Sequence, residues 1–178
     1  MSGKSRASAP SGRRALLKQL RTIRIVATDV DGVLTDAGMY YAESGDEFKK
    51  FNTRDGMGLK LLQKAGVVTA IVTQETTKLV ARRAERLTIP ELHQGSFDKL
   101  STITALAARH GATLADVAYI GDDVNDLAAL RAVGFSATPA DGHRSVKQVV
   151  KYVCQAKGGE GAVRELADLI LEAKEGKG

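Results

Sequence analysis

Two clusters of carboxylates carry the chemistry that this sequence could perform. The first is Thr28-Asp29-Val30-Asp31-Gly32-Val33-Leu34-Thr35 and the second is Gly121-Asp122-Asp123-Val124-Asn125-Asp126. Asp29 and Asp31 are two residues apart, so on an extended chain they point roughly the same way. Like charges so placed repel unless a cation or a proton separates them. If the second cluster lies beside the first, up to five carboxylates converge, and a hard divalent cation resolves the repulsion. Mg²⁺ with several retained waters suits a site with few protein oxygens. Between the clusters, Val72-Thr73-Gln74 offers a hydroxyl and Ser96-Phe97-Asp98-Lys99 an ammonium. Asp, Thr, Lys and Asp groups on successive loops suit phosphoryl transfer through a carboxylate nucleophile. In that chemistry the carboxylate attacks phosphorus while cations neutralise charge on its oxygens. Each feature alone reads as a turn, a helix cap or an acidic helix start; the four in this order do not.

These groups need rigid elements to hold them. Ile23 to Thr28 is rich in β-branched residues and reads as a buried strand ending at the first cluster. Met39 to Tyr41 and Phe48 to Asn52 flank Glu43-Ser44-Gly45-Asp46, which predicts a hairpin over about 38–52. Asp55 is expected to cap a helix that runs to Ala65 and stops at Gly66. Val67 to Val72 reads as a strand, Thr77 to Leu87 as a helix, and Lys99 to His110 as another. Val117 to Ile120 predicts a strand, Asp123 to Val133 a helix, and Gly134 to Ala137 a short strand. An amphipathic helix over 162–173 closes the pattern. Strands alternating with helices through short connections predict an α/β fold with an open parallel sheet and helices on both faces. Ligands of such sheets bind beyond the carboxyl ends of the strands.

Composition excludes other classes. The 178 residues carry 26 Lys+Arg against 21 Asp+Glu, a net charge of +5, with 43% apolar content. Lys4, Arg6, Arg13, Arg14, Lys18 and Arg21 all fall in the first 22 residues, where no acid occurs, leaving the rest near neutral. Residues 1–22 are expected to form a flexible, weakly helical basic leader, and 23–178 the folded domain. No basic stripe or aromatic platform follows the leader, which argues against nucleic-acid binding. No apolar run approaches the roughly 20 residues that span a bilayer. The one cysteine, Cys154, cannot form an internal disulfide, which excludes a disulfide scaffold and suits a cytoplasmic protein. His93, His110 and His143 lack metal-ligand spacing and read as surface or loop residues.

Taken together, the four motifs resemble those of the haloacid dehalogenase superfamily over about residues 23–172. The resemblance implies a three-layer, Rossmann-like sheet. It makes Asp29 the nucleophile that becomes an aspartyl-phosphate and Asp31 the residue that protonates the leaving oxygen and then activates water. Thr73 and Lys99 would hold the phosphoryl group. Asp122 would bind Mg²⁺ with Asp29 and the Asp31 carbonyl, supported by Asp123 and Asp126. The short interval before Asn52-Thr53-Arg54-Asp55-Gly56-Met57-Gly58 leaves no room for a cap domain. That segment and Lys157-Gly158-Gly159-Glu160-Gly161-Ala162-Val163-Arg164-Glu165 resemble the capless 3-deoxy-manno-octulosonate 8-phosphate phosphatases. The resemblance implies a homotetramer whose neighbouring subunits help close the active site, with Arg54 and a neighbour's Arg164 at the substrate. One departure bears on the substrate. Octulosonate enzymes usually carry Thr-Gly-Arg where this chain has Thr73-Gln74-Glu75. Glu75, with Arg86 one helix later, is more similar to relatives that act on nine-carbon sugar acids, and exchanging Arg for Glu reverses the local charge.

The leading expectation is therefore an Mg²⁺-dependent phosphomonoesterase acting on a keto-deoxy sugar-acid phosphate of eight or nine carbons. Two alternatives are a signalling receiver that stores phosphate on an aspartate, and an idle subunit supporting a sugar-acid cytidylyltransferase. Asp31, an extra acid placed to promote hydrolysis, argues for turnover. A chain cut after Cys154 is expected to fold while binding substrate less well.

Overall fold

A computed structural model of the chain describes residues 10–176. Six parallel strands form the central sheet: β1 (Ile25–Thr28), β4 (Val68–Val72), β5 (Glu91–His93), β6 (Val117–Ile120), β7 (Phe135–Thr138) and β8 (Tyr152–Val153). Their spatial order is β5-β4-β1-β6-β7-β8. The chain builds outward from β1 on one side through β4 and β5, then returns to build the other side from β6. The reversal falls between β1 and β6, where open α/β sheets form their ligand crevice. The β1 register, Ala27 against Ala70 and Tyr119, sets the carboxyl ends of β4 and β6 level with Asp29. Asp29 N–H donates to the Ile120 carbonyl at 3.0 Å, carrying this pairing one residue beyond the strand.

Every residue of β1, β6 and β7 is buried, as expected of strands covered on both faces. Alternation along β1 sorts the core. Val26 joins a cluster with Leu59, Leu62, Val80, Leu166 and Ile170, whereas Ile25 and Ala27 join one with Ile103, Leu106 and Leu130. The first cluster packs α1 (Pro10–Leu20), α2 (Thr53–Lys64), α3 (Lys78–Arg86) and α7 (Ala162–Glu175) on one face. The second packs α4 (Lys99–Arg109), α5 (Leu127–Ala132) and the short α6 (Arg144–Lys147) on the other. The predicted hairpin is present as β2 (Tyr40–Tyr41) against β3 (Glu47–Phe48), turning at Gly45 with φ 86°.

Several expectations need correction. The leader over 1–22 is expected to be flexible and weakly helical; from Pro10 the helix is present as α1, and it is packed rather than loose. Leu20 is buried, Leu16 and Leu17 pack on the core, and Arg13 lies 2.6 Å from Glu172 of α7. Residues 1–9 lie outside the described residues. Asp55 does not cap its own helix; Asn52 does, accepting from Arg54 N–H at 2.8 Å. Asp55 is fully buried and instead accepts from Gly161 N–H at 3.2 Å and Arg164 N–H at 2.9 Å, capping α7. The helix expected over 123–133 begins as a 3₁₀ turn, Val124–Asp126, and becomes α5 at Leu127. Strands β5 and β8 were not anticipated; with three and two residues they carry too little periodicity to register. His93, read as surface or loop, lies in β5, and Glu91 accepts from both His93 and His110. A chain cut after Cys154 would lose α7, whose Val163, Leu166, Leu169 and Ile170 are core residues. The expectation that it folds is therefore withdrawn.

Candidate active site

The carboxyl ends of β1, β4 and β6 and the start of α4 bring the expected residues to one crevice. Lys99 is the first residue of α4, placed there by the cap in which Asp98 accepts from Ser101 N–H at 3.0 Å. Its side chain is 1% exposed, and its ammonium donates to Asp29 Oδ2 and Asp126 Oδ1, each at 2.6 Å. Asp126 is fully buried and fully committed. It also accepts from the Tyr119 hydroxyl at 2.5 Å and from the N–H groups of Asp122 and Asp123. It therefore supports the site by fixing Lys99 and the Asp122 loop.

Asp29 and Asp122 lie beside Asp126, Asp29 accepting from Lys99 at Oδ2 and from Val30 N–H at Oδ1, the latter at 2.7 Å. With Asp126 they form a group whose ligand atoms lie within 4.8 Å of one another. Gly32 makes this approach possible. Its φ of 77° turns the Asp29–Thr35 loop, and a Cβ there would sit 2.0 Å from Asp122 Oδ2. Burial, followed by the charge of Asp126, raises the Asp29 carboxyl from 3.8 to about 6, against the pull of Lys99. Burial and the charges of Asp29, Asp126 and Asp123 raise Asp122 to about 8. Two carboxylates that resist ionising together are a donor set suited to a divalent cation. Asp29 and Asp122 would hold it, and it would supply positive charge at the phosphoryl oxygens.

A stability consequence follows. A carboxyl whose native pKa exceeds its unfolded value favours the fold when protonated and loses that contribution as pH rises through the native value. Without metal, the melting temperature is expected to fall between about pH 4 and pH 8, as Asp29 and then Asp122 ionise. Saturating Mg²⁺ should flatten the decline. Glu91, lowered to about 2 by Arg109, His110 and His93, acts with the opposite sign and outside this window. Thermal melts with chelator and with Mg²⁺ decide; identical pH profiles would rule out a metal between these carboxylates.

The remaining predicted residues divide. Thr73 follows β4 with its side chain buried, its hydroxyl accepting from Glu75 N–H at 3.2 Å. Asp31, one-third exposed, faces the crevice mouth and accepts from Lys49 Nζ at 2.6 Å. Asp123 caps the 3₁₀ turn through Val124 N–H at 2.7 Å. Glu75 lies 3.9 Å from Lys49 and so belongs to the same mouth. Arg54 and Arg164 do not join the carboxylates. They line an open groove of about 430 Å³ bounded by Arg13, Glu160, Asp168 and Glu172, where Arg164 Nε pairs with Asp168 at 2.8 Å. Arg86 is exposed at the far end of α3, roughly 13 Å of helix from the end nearest Thr73. Sequence reasoning missed Lys49 and Tyr119. A lysine pair on a hairpin reads as surface, and a strand tyrosine reads as core. The Lys157–Gly161 segment lies on this chain's own Asp29–Thr35 loop. Gly159 N–H donates to the Val33 carbonyl at 2.9 Å, and a Cβ at Gly158 would sit 1.9 Å from the Gly32 carbonyl.

Comparison with known proteins accords with this geometry. Residues 69–166 match the family of haloacid dehalogenase-like hydrolases. The chain is 41% identical over 160 residues to a 3-deoxy-D-manno-octulosonate 8-phosphate phosphatase of Yersinia pestis, spanning 90% of this chain and 86% of that one. The chain belongs to the haloacid dehalogenase-like hydrolases. Among solved structures, this hydrolase resembles the octulosonate phosphatase of Moraxella catarrhalis, in complex with magnesium, phosphate and the sugar acid. The TM-score is 0.88 at 38% identity, covering 91% of this chain and 93% of that one. It also resembles the cobalt-bound phosphatase of Haemophilus influenzae, with a TM-score of 0.85 at 39% identity, covering 88% and 92%. The hydrolase is of the phosphatase type and capless, and its carboxylates fit the magnesium seen in the Moraxella catarrhalis structure. Among the described residues no helix is long and apolar enough to cross a membrane.

Proposed function

We propose that this hydrolase removes phosphate from the 8-phosphate of 3-deoxy-manno-octulosonate in a magnesium-dependent reaction. The observation that carries the reading is the meeting of Asp29, Lys99, Asp122 and Asp126 at the β1/β6 reversal. Asp29 Oδ2 is the nucleophile: it bonds to phosphorus as the bond to the sugar oxygen breaks, giving an aspartyl-phosphate. Asp31 gives its proton to the departing oxygen, then takes one from the water that attacks phosphorus as the Asp29 oxygen–phosphorus bond breaks, releasing orthophosphate and the free carboxylate. Lys99, already against Asp29, neutralises oxygen charge on the transferring group, and the Thr73 hydroxyl holds another oxygen. The relatives at 38–41% identity support the eight-carbon substrate.

A second reading, a nine-carbon sugar-acid phosphate, is favoured by Glu75 at the mouth, where a negative charge next to Lys49 replaces the arginine usual in octulosonate enzymes. The exposed Met39, Tyr40, Tyr41 and Phe48 of the hairpin support assembly as a homotetramer. A second copy is the means by which Arg54, Arg86 or Arg164 would reach substrate. Orthophosphate release from eight- and nine-carbon sugar-acid phosphates, with Mg²⁺ and with chelator, tests the proposal. The octulosonate ester should have the highest kcat/KM, and Glu75→Arg should change the eight-to-nine preference by about tenfold or more. Preference for the nine-carbon ester would install the second reading; turnover of neither would refute both.

A further inference from the structure

The chemistry above leaves one buried cation without a role. Lys49 follows β3 on the hairpin, yet its side chain is 3% exposed. Its neighbour Lys50 behaves as an ordinary surface residue, 57% exposed and 3.4 Å from Asp36. The Lys49 ammonium instead reaches back to Asp31 Oδ1 at 2.6 Å and faces Glu75 Oε2 at 3.9 Å. An ammonium withdrawn from water is tolerated where carboxylates compensate it, and these two are its compensation.

We propose that Lys49 is the positioning residue for Asp31, and that through it the hairpin sets the proton-transfer geometry. This inference rests on the role given to Asp31 above. With Oδ1 held by Lys49, and the Thr35 hydroxyl 3.4 Å from the same oxygen, Oδ2 is the atom left to give the proton to the leaving oxygen and to take one from water. Glu75 shares the ammonium, so whatever substrate group engages Glu75 is coupled to the orientation of Asp31.

The test compares Lys49→Met and Lys49→Arg on three esters: the octulosonate 8-phosphate, glycerol 2-phosphate and p-nitrophenyl phosphate. The alkoxides of the first two need a proton to depart, whereas p-nitrophenolate leaves without one. For Lys49→Met, kcat on the alkyl esters should fall by roughly 10- to 100-fold, a fraction of the usual general-acid contribution. Its single-turnover release of p-nitrophenolate, which precedes the water step, should stay within about threefold, and Lys49→Arg should recover most of the alkyl activity. A loss of that p-nitrophenolate release equal to the alkyl loss would mark Lys49 as merely structural and overturn the proposal, as would an undiminished alkyl kcat. A wild type active on the two general esters but not on the octulosonate ester would refute the substrate reading, with the Lys49 comparison still decided on glycerol 2-phosphate. A wild type inactive on all three would overturn both.

Discussion

Asn in place of Asp29 is expected to abolish turnover while leaving a protein at least as resistant to heat as the wild type without metal. The reason lies in what the carboxylate does at rest. It is 6% exposed, beside Asp122 and Asp126, and burial and repulsion lift its pKa to about 6. An amide of the same shape removes that repulsion, and Lys99 keeps Asp126 as a partner at 2.6 Å. On the proposed mechanism the catalytic cost is the nucleophile itself, and losses of that kind run to roughly 10⁴–10⁶ in kcat. The rise in melting temperature given by Mg²⁺ should shrink too, since ligand stabilisation follows affinity and one carboxylate donor is gone. Turnover by Asp29→Asn within tenfold of wild type would place the nucleophile elsewhere.

Removal of residues 155–178 is expected to abolish folding, the largest stability effect foreseen. Val163, Leu166, Leu169 and Ile170 are buried against α1, α2 and the sheet. At about 1.5–3 kcal/mol for each such side chain, they account for roughly 6–12 kcal/mol, comparable to the ~5–15 kcal/mol by which whole domains are stable. Polar anchors go with them. Glu165 accepts from the Tyr152 hydroxyl and from the N–H groups of Gln155 and Ala156, and Asp55 would be left buried without the α7 N–H groups it caps. The shortened chain should show no cooperative melt by circular dichroism. A melt within a few degrees of the full-length protein would mean that α7 is an appendage.

The contrast between these predictions shows what the sequence made legible. The proposed catalytic groups announce themselves because carboxylates two residues apart at the end of a β-branched run are costly without a purpose, so Asp29, Asp31, Lys99 and Asp122 were visible with their order. The sheet type followed from the alternation of strands and helices. The far ends of long contacts were not visible. Asp55 looked like a cap for its own helix because capping is a local rule; its real partners, Gly161 and Arg164, lie more than a hundred residues onward. Lys49 was indistinguishable from Lys50 until the hairpin folded one toward Asp31 and the other toward solvent. Likewise, the leader reads as flexible and weakly helical and residues 162–173 as an amphipathic helix, and only the packing of α1 on α7 places Leu20 in the core. Arg54, Arg86 and Arg164 were carried by resemblance alone, and one chain does not gather them at the carboxylates.

Trapping the covalent phosphoenzyme tests the account most directly. Asp31→Asn, which lacks the group that activates water, should accumulate an acyl phosphate when mixed with p-nitrophenyl phosphate and Mg²⁺. Borohydride reduction after an acid quench should then convert a single side chain to homoserine, located by peptide mass spectrometry at position 29. Homoserine at any other aspartate, or none at all while wild-type turnover is intact, would contradict the claim that Asp29 bonds to phosphorus.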